Sequence, residues 1–367
     1  MAFTRKLADF QTRATARMLL AVAASMAMLG DNAHAKKGII GKDDRTLVPA
    51  KYEYLARGVG IIHDRAKNLL CTAFCVGPDM IVTNAHCLAH RLNSNSLIEP
   101  RDIRDFAYKH MIDGVATRVE TLKFNRFGGD GKPQLSVIAG RRPRGSGRIS
   151  GQAWRNSKFE DWAVARLAGR LCAADVLRFA DPRLLNDTAA LKRLPTFMIG
   201  FHLDTWKKDR FERYSPCKIT NILSRRKRRL AYHNCDAQPI ASGSPIFAST
   251  PEGPRIVAIH SSRRMIPRRT SNRRGTRAAA NLVYMAVLPL EFLPMLPRFE
   301  SARFLNGVYS IEQLQTALKA AGHHRGAVDG QFGPQTQASI KRFERALGLV
   351  PLGIPTVEIV DKLRALP

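Results

Sequence analysis

From residue 51 to residue 298 the apolar positions fall in short blocks cut by Gly, Pro, Asn and Asp. Gly58-Val59-Gly60-Ile61-Ile62, Met80-Ile81-Val82, Ser136-Val137-Ile138-Ala139, Thr196-Phe197-Met198-Ile199-Gly200 and Ile256-Val257-Ala258-Ile259 are examples. Blocks of this length with turn residues between them predict strands, and their close spacing predicts an all-β sandwich or barrel. Between Leu88 and Asp113 the pattern allows helical turns. Leu288-Pro289 and Leu293-Pro294-Met295-Leu296-Pro297 then break the pattern and lead into a linker, placed at 299–306. From 307 the period becomes helical. Leu314, Ala317 and Leu318 mark one helix, and the loop Gly326-Ala327-Val328-Asp329-Gly330-Gln331-Phe332-Gly333 follows it. Pro334 opens a second helix, as proline does at a first helical position, with Ala338, Ile340, Phe343 and Leu347 on its apolar side. Val357, Ile359, Val360 and Leu363 suit a third. The expectation is a mainly β domain over 51–298 followed by a small three-helix domain over 307–367, marginal but sufficient in size at roughly 60 residues.

The N-terminus reads differently. Arg5, Lys6, Arg13 and Arg17 precede an apolar run from Met18 to Leu29, and Ala33-His34-Ala35 offers small residues where a signal peptidase reads. A run of ~12 is short for a span of about 20 residues, so residues 1–35 are expected to be a cleaved secretory signal. Residues 36–50 are basic and patternless, the reading of a loose leader. No later stretch is long and apolar enough to span a membrane.

Composition adds compartment and charge. The six cysteines, Cys71, Cys75, Cys87, Cys172, Cys217 and Cys235, all follow the signal. An even count in an exported chain favours disulfides. With no Cys-x-x-Cys, zinc is not expected, nor any other metal or cofactor. The formal net charge is +29, and the signal carries four basic and two acidic residues, leaving +27. Arg141-Arg142-Pro143-Arg144, Arg225-Arg226-Lys227-Arg228-Arg229 and the arginines from Arg263 to Arg274 concentrate it in what read as loops. These clusters lack aromatic interleaving, which argues against nucleic acid. Non-specific, salt-screened attraction to anionic envelope polymers fits an exported protein better, with solvated loops the bland alternative.

Three stretches carry the candidate chemistry. Thr83-Asn84-Ala85-His86-Cys87 follows a buried strand and would hold an imidazole rigidly, as a general base requires. Asp161-Trp162-Ala163-Val164-Ala165 is an acid heading a strand. Ile240-Ala241-Ser242-Gly243-Ser244-Pro245 places a serine in a tight turn. Serine needs a base to take its proton and a carboxylate to orient that base, and His, Asp, Ser is one of the known chain orders.

With these three motifs, residues 51–298 resemble a trypsin-like (chymotrypsin-fold) serine protease, nearest to the bacterial branch that includes glutamyl endopeptidases. The resemblance implies a double β-barrel, with His86 as base, Asp161 as orienting acid and Ser242 as nucleophile in an acyl-enzyme mechanism. It places the oxyanion hole at the N–H groups of Ile240 and Ser242. The family usually has Gly where Ile240 stands, and a β-branched residue resists positive φ. A catalytically inactive protease fold that only binds is therefore the alternative. Ala241 stands where trypsin zymogens carry the Asp that pairs with a new N-terminus, so that activation is not available. Two specificity readings stay open: Asp236, where trypsin has its basic-residue selector, and His260, which matches a histidine that binds substrate Glu. The resemblance pairs Cys71 with Cys87 and Cys217 with Cys235, leaving Cys75 and Cys172 paired or free. Leu314-Gln315, Gly322, Val328-Asp329-Gly330, Phe332-Gly333-Pro334, Thr336 and Phe343 resemble a three-helix peptidoglycan-binding domain, with Glu344 where that family often has Gln. The implied whole is a periplasmic or secreted endopeptidase acting on protein or peptide and tethered to peptidoglycan.

Overall fold

The computed structural model describes residues 38–64, 69–88, 160–225, 228–267, 280–305 and 310–366, with further strands inside 106–139. The signal sequence and Arg141 to Arg144 lie outside the described residues, as do 89–105 and 268–279.

Two antiparallel sheets carry the larger domain, the chymotrypsin-like arrangement expected. The first is built around β2 (Val59–Asp64), β3 (Leu69–Gly77), β4 (Met80–Thr83) and β10 (Ala163–Arg166), in the order β6-β5-β2-β3-β4-β10-β9. Here β5 is Phe106–Ile112, β6 Val115–Thr121 and β9 Val137–Ala139, while β7 (Phe124–Arg126) and β8 (Pro133–Leu135) pair in a separate two-stranded sheet. Ile61, Phe74, Val82 and Val164 are fully buried in it, which is why these short apolar blocks read as strands. The second sheet runs β1-β12-β11-β15-β16-β17-β14-β13. Its members are β1 (Thr46–Leu47), β11 (Thr196–Gly200), β12 (Arg213–Cys217), β13 (Ile219–Arg225), β14 (Arg228–His233), β15 (Pro245–Thr250), β16 (Gly253–Pro267) and β17 (Ala280–Val287). Disulfides join Cys71 to Cys87, Cys217 to Cys235 and Cys75 to Cys172, so all six cysteines are paired.

Four sequence expectations are corrected. Helical turns between Leu88 and Asp113 give way, over Phe106–Ile112, to a strand paired with β2. Arg263 and Arg264 lie in β16 rather than a loop, because β16 continues against β17 as far as Pro267. Residues 38–49 are not loose: Gly38 and Ile39 are buried, and Thr46 pairs with Tyr214. The partners of this segment sit some 160 to 200 residues later, as the Arg45–Asp204 and Ile40–Asp236 separations of 159 and 196 show, so no local pattern announces them. The linker is likewise packed. Leu296–Ser301 is a helix, Phe299 and Phe304 are buried, and Phe304 bridges to Thr356.

The C-terminal domain has the three expected helices, Ile311–Ala320, Pro334–Ala346 and Val357–Arg364. Ser310 and Gln313 form a capping box on the first. Asp329 shapes the following loop: its Oδ1 accepts from Gln315 Nε2 at 2.8 Å and from Gln331 N–H at 3.0 Å. Glu344, the departure from Gln, has a local reason. It is fully buried and accepts from Arg298 Nη1 at 2.7 Å and from Gly353 N–H at 2.8 Å. Arg298 belongs to the helix that closes the larger domain, so an ion pair joins the two domains.

Candidate active site

The site forms where the sheets meet. Strand β4 ends at Thr83 and turns into the short helix Ala85–Leu88, which presents His86. Strand β10 pairs with β4, Ala163 opposite Thr83, and this brings Asp161, two residues earlier, beside His86. Asp161 Oδ2 lies 2.8 Å from His86 Nδ1, and Asp161 Oδ1 accepts from the His86 backbone N–H at 3.0 Å. The buried Asn84 amide donates to the Asp161 carbonyl at 2.8 Å. The acid is buried, with a side chain 2% exposed, while the imidazole is 35% exposed, the asymmetry a base facing substrate needs. Burial would push the Asp161 pKa up. The facing His86 ring and the hydrogen bonds from His86 and Ser261 outweigh it and hold the carboxyl below its ordinary value.

Ser242 comes from the other sheet, just before β15. Ser261, on β16, touches both sides: its hydroxyl donates to Asp161 Oδ2 at 2.5 Å and its carbonyl accepts from Ser242 Oγ at 3.2 Å. His86, Asp161 and Ser242, distant in sequence, are thus brought together. Thr72 grips the turn that carries Ser242 from the first sheet. Its N–H is shared between the Ile240 and Ser242 carbonyls at 2.8 and 2.9 Å, and its hydroxyl donates to the Ile240 carbonyl at 2.9 Å. Neither Ile240 N–H nor Ser242 N–H has a backbone acceptor among the described residues.

Ile240 adopts a left-handed backbone conformation that favours glycine, at φ 84°. Such a residue costs about 1–3 kcal/mol. The buried side chain, 7% exposed, offsets this by about 1.5–3 kcal/mol. Ile240→Gly should therefore leave stability within about 1 kcal/mol of wild type, since strain relief and lost burial nearly cancel. Ile240→Ala keeps much of the strain and loses the burial, and should destabilise by about 2 kcal/mol. Denaturant unfolding of the two variants checks the pair.

The two candidate specificity residues differ in their surroundings. Asp236 turns its carboxylate to the N-terminal segment, Oδ1 accepting from Ile40 N–H at 2.6 Å and Oδ2 from Asp44 N–H at 3.4 Å. Burial raises its pKa to about 6, the two N–H groups opposing and the neighbouring Asp44 and Asp43 adding to the rise. The folded chain thus holds this proton more tightly than an unfolded carboxylate of pKa ~3.9. That contribution is complete below about pH 4 and lost as pH rises through about 6. Thermal unfolding of wild type, referenced to Asp236→Asn, should lose stability across that window and level off above it.

His260 is buried, with Nδ1 3.1 Å from His233 Nε2. The hydrogen bonds assign the tautomers. Cys235 N–H donates to His233 Nδ1 at 3.2 Å, so His233 Nε2 carries the proton and donates to His260. His260 then carries its own proton on Nε2. Burial, and next the His86 charge, lower the His260 pKa to about 3, so it stays neutral.

Thr72, Ser261, His233 and His202 were not singled out in the sequence. Thr72 beside Cys71 and Ser261 beside His260 are signalled only by their neighbours. His233 and His202 carry no local signal.

A family model described as a trypsin-like peptidase domain matches residues 71–259, and one described as a putative peptidoglycan binding domain matches residues 309–363. A solved structure titled "Structure of Glu endopeptidase in complex with MPD" is 16% identical, with a TM-score of 0.45, over 71% of this chain and 98% of that one. No curated protein matches the chain.

Proposed function

The chain belongs to the trypsin-like peptidases, whose family model spans residues 71–259, and from that premise we propose that it is an exported serine endopeptidase held at peptidoglycan by its C-terminal domain. Neutral His86 takes the Ser242 proton as Oγ attacks the scissile carbonyl, and Asp161 stabilises the imidazolium that forms. The Ile240 and Ser242 N–H groups receive the oxyanion. His86 returns the proton to the leaving amine, and water hydrolyses the acyl-enzyme by the same route. The observation that carries this reading is Ser261, bonded at once to the Asp161 carboxylate and to the Ser242 hydroxyl. Digestion of a mixed peptide library by wild type but not by Ser242→Ala tests it.

For the residue before the cut, an acidic side chain fits better than a basic one. The Asp236 oxygens are engaged by Ile40 and Asp44, while the relay Cys235–His233–His260 ends in an Nε2–H donor suited to a carboxylate. The same library, read for Glu against Lys and Arg at that position, decides between them.

Salt separates the tethers. The +27 surface binds anionic polymers electrostatically, and this should fade as the Debye length falls to ~3 Å near 1 M salt. Binding by the three-helix domain should persist. A chain ending after Ala302 should keep its kcat on soluble peptide, which shows that it has folded, and lose pull-down with purified sacculi at 1 M salt. Equal retention by the truncated chain would remove the domain as tether.

A further inference from the structure

The loop that leads into the candidate oxyanion donors and ends on the first of them, residues 236–240, is held from two directions, and both lead to the segment from Gly38 to Arg45. Directly, Ile40 and Asp44 donate to Asp236, and Ala237 N–H donates to the Gly38 carbonyl at 3.2 Å. The Tyr284 hydroxyl bridges the carbonyls of Gly38 and Ala237. The approach is close: a Cβ on Gly38 would stand 2.3 Å from the Ala237 carbonyl oxygen. Indirectly, Gln238 N–H donates to His202 Nδ1 at 3.1 Å and the Pro239 carbonyl accepts from Leu203 N–H at 2.8 Å. Leu203 opens a short helix, Leu203–Trp206, whose Asp204 is clamped by Arg45. Arg45 reaches it with Nη1 at 3.0 Å and Nη2 at 2.7 Å, and the same guanidinium holds Asp43 at 2.9 Å. The Arg45 side chain is 3% exposed.

A bidentate guanidinium between two carboxylates, withdrawn from water, is a rigid joint. Ala241, next to the nucleophile, brings no carboxylate that a chain terminus could pair with. Building on the endopeptidase reading, we propose that Gly38–Arg45 is a built-in strap that holds the 236–240 loop in its working shape, with Arg45 as the positioning residue. Signal cleavage before Lys36 would leave the strap whole, so the enzyme needs no second cut to order this loop, and a later cut inside 38–45 would switch it off. Arg45 touches no reacting atom. It acts through Asp204, the Leu203–Trp206 turn and the backbone of Gln238 and Pro239.

The test compares full mature chains of wild type, Arg45→Ala, Arg45→Lys and Asp204→Asn. Two readouts are taken: amide hydrogen exchange, and kcat and KM on a peptide cleaved by wild type. Arg45→Ala and Asp204→Asn should raise exchange at the bonded amides of Ala237, Gln238 and Ala241 by about tenfold or more, with β3 and β4 unchanged. They should lower kcat by about 10²-fold, the scale of a lost oxyanion donor, with KM moving little. Lysine, which keeps the charge but not the fork, should restore part of both. Asp204 is partly exposed, so Asp204→Asn reports even if Arg45→Ala does not fold. Unchanged exchange in this loop would overturn the strap, as would a rise spread over both sheets or faster exchange with an unchanged kcat. A wild type that cleaves nothing would instead overturn the endopeptidase reading, and the exchange measurement would still decide whether the strap holds the loop.

Discussion

Replacing His86 by alanine should lower kcat by about 10⁴- to 10⁶-fold with little change in KM, and Asp161→Asn should lower it by about 10⁴-fold. Both effects follow from one geometry. Asp161 accepts from the His86 ring and from the His86 backbone, so it fixes the tautomer with the proton on Nδ1 and leaves Nε2 as acceptor. Asparagine keeps the shape but can present an N–H to the ring, which favours the wrong tautomer. Because Asp161 stays ionised well into acid, its own titration should not limit the enzyme near neutral pH. Steady-state kinetics of the two variants, with circular dichroism to confirm folding, check the prediction. Double replacement should cost no more than His86→Ala alone, because the residues act as a unit.

Gly243→Ala should be the most damaging small substitution in the turn. Gly243 has φ 90°, and a Cβ there would meet the Thr72 carbonyl oxygen at 2.0 Å and Thr83 Oγ1 at 2.5 Å. Both are first-sheet atoms fixed by hydrogen bonds of their own: Thr83 Oγ1 donates to that same Thr72 carbonyl at 2.8 Å. The first sheet would have to draw back from the turn that carries Ser242. Left-handed strain and overpacking together should cost about 3 kcal/mol or more. Gly322 is the control, with φ 75° and open space around its Cβ position, so Gly322→Ala should cost only about 1 kcal/mol. Urea unfolding of both variants separates the contact from the dihedral.

The three motifs were legible because each is local: one residue of the right chemistry beside a short strand, His86 after β4, Asp161 before β10 and Ser242 before β15. The helical domain was legible for the same reason, since Leu314, Leu318, Ile340 and Phe343 repeat at helix spacing and are buried. What was not legible depends on long-range partners. Arg45 reads as one more basic residue in a patternless stretch until Asp204 is seen beside it. Asp236 reads as a pocket acid from its place before Ser242, and only the fold reveals Ile40 and Asp44 at its oxygens. Ile240 was legible as a departure from glycine, but its positive φ was not, because sequence preference argues against it. The surrounding bonds decide: Thr72 draws the Ile240 carbonyl to the first sheet, and Leu203 holds the Pro239 carbonyl on the other side. Tertiary contacts outweigh a local cost of about 1–3 kcal/mol.

That conformation is also the point on which the central claim turns, because a serine activated by His86 acylates only if Ile240 and Ser242 present their N–H groups together. The most direct measurement is labelling of the mature protein with a fluorophosphonate, read by mass spectrometry of its peptides. A covalent adduct on Ser242 is predicted, formed by wild type and abolished in Ser242→Ala and His86→Ala. A folded wild-type protein that gives no adduct on Ser242 at any pH from 5 to 9 would contradict it, and the chain would then be a protease fold that binds without cutting.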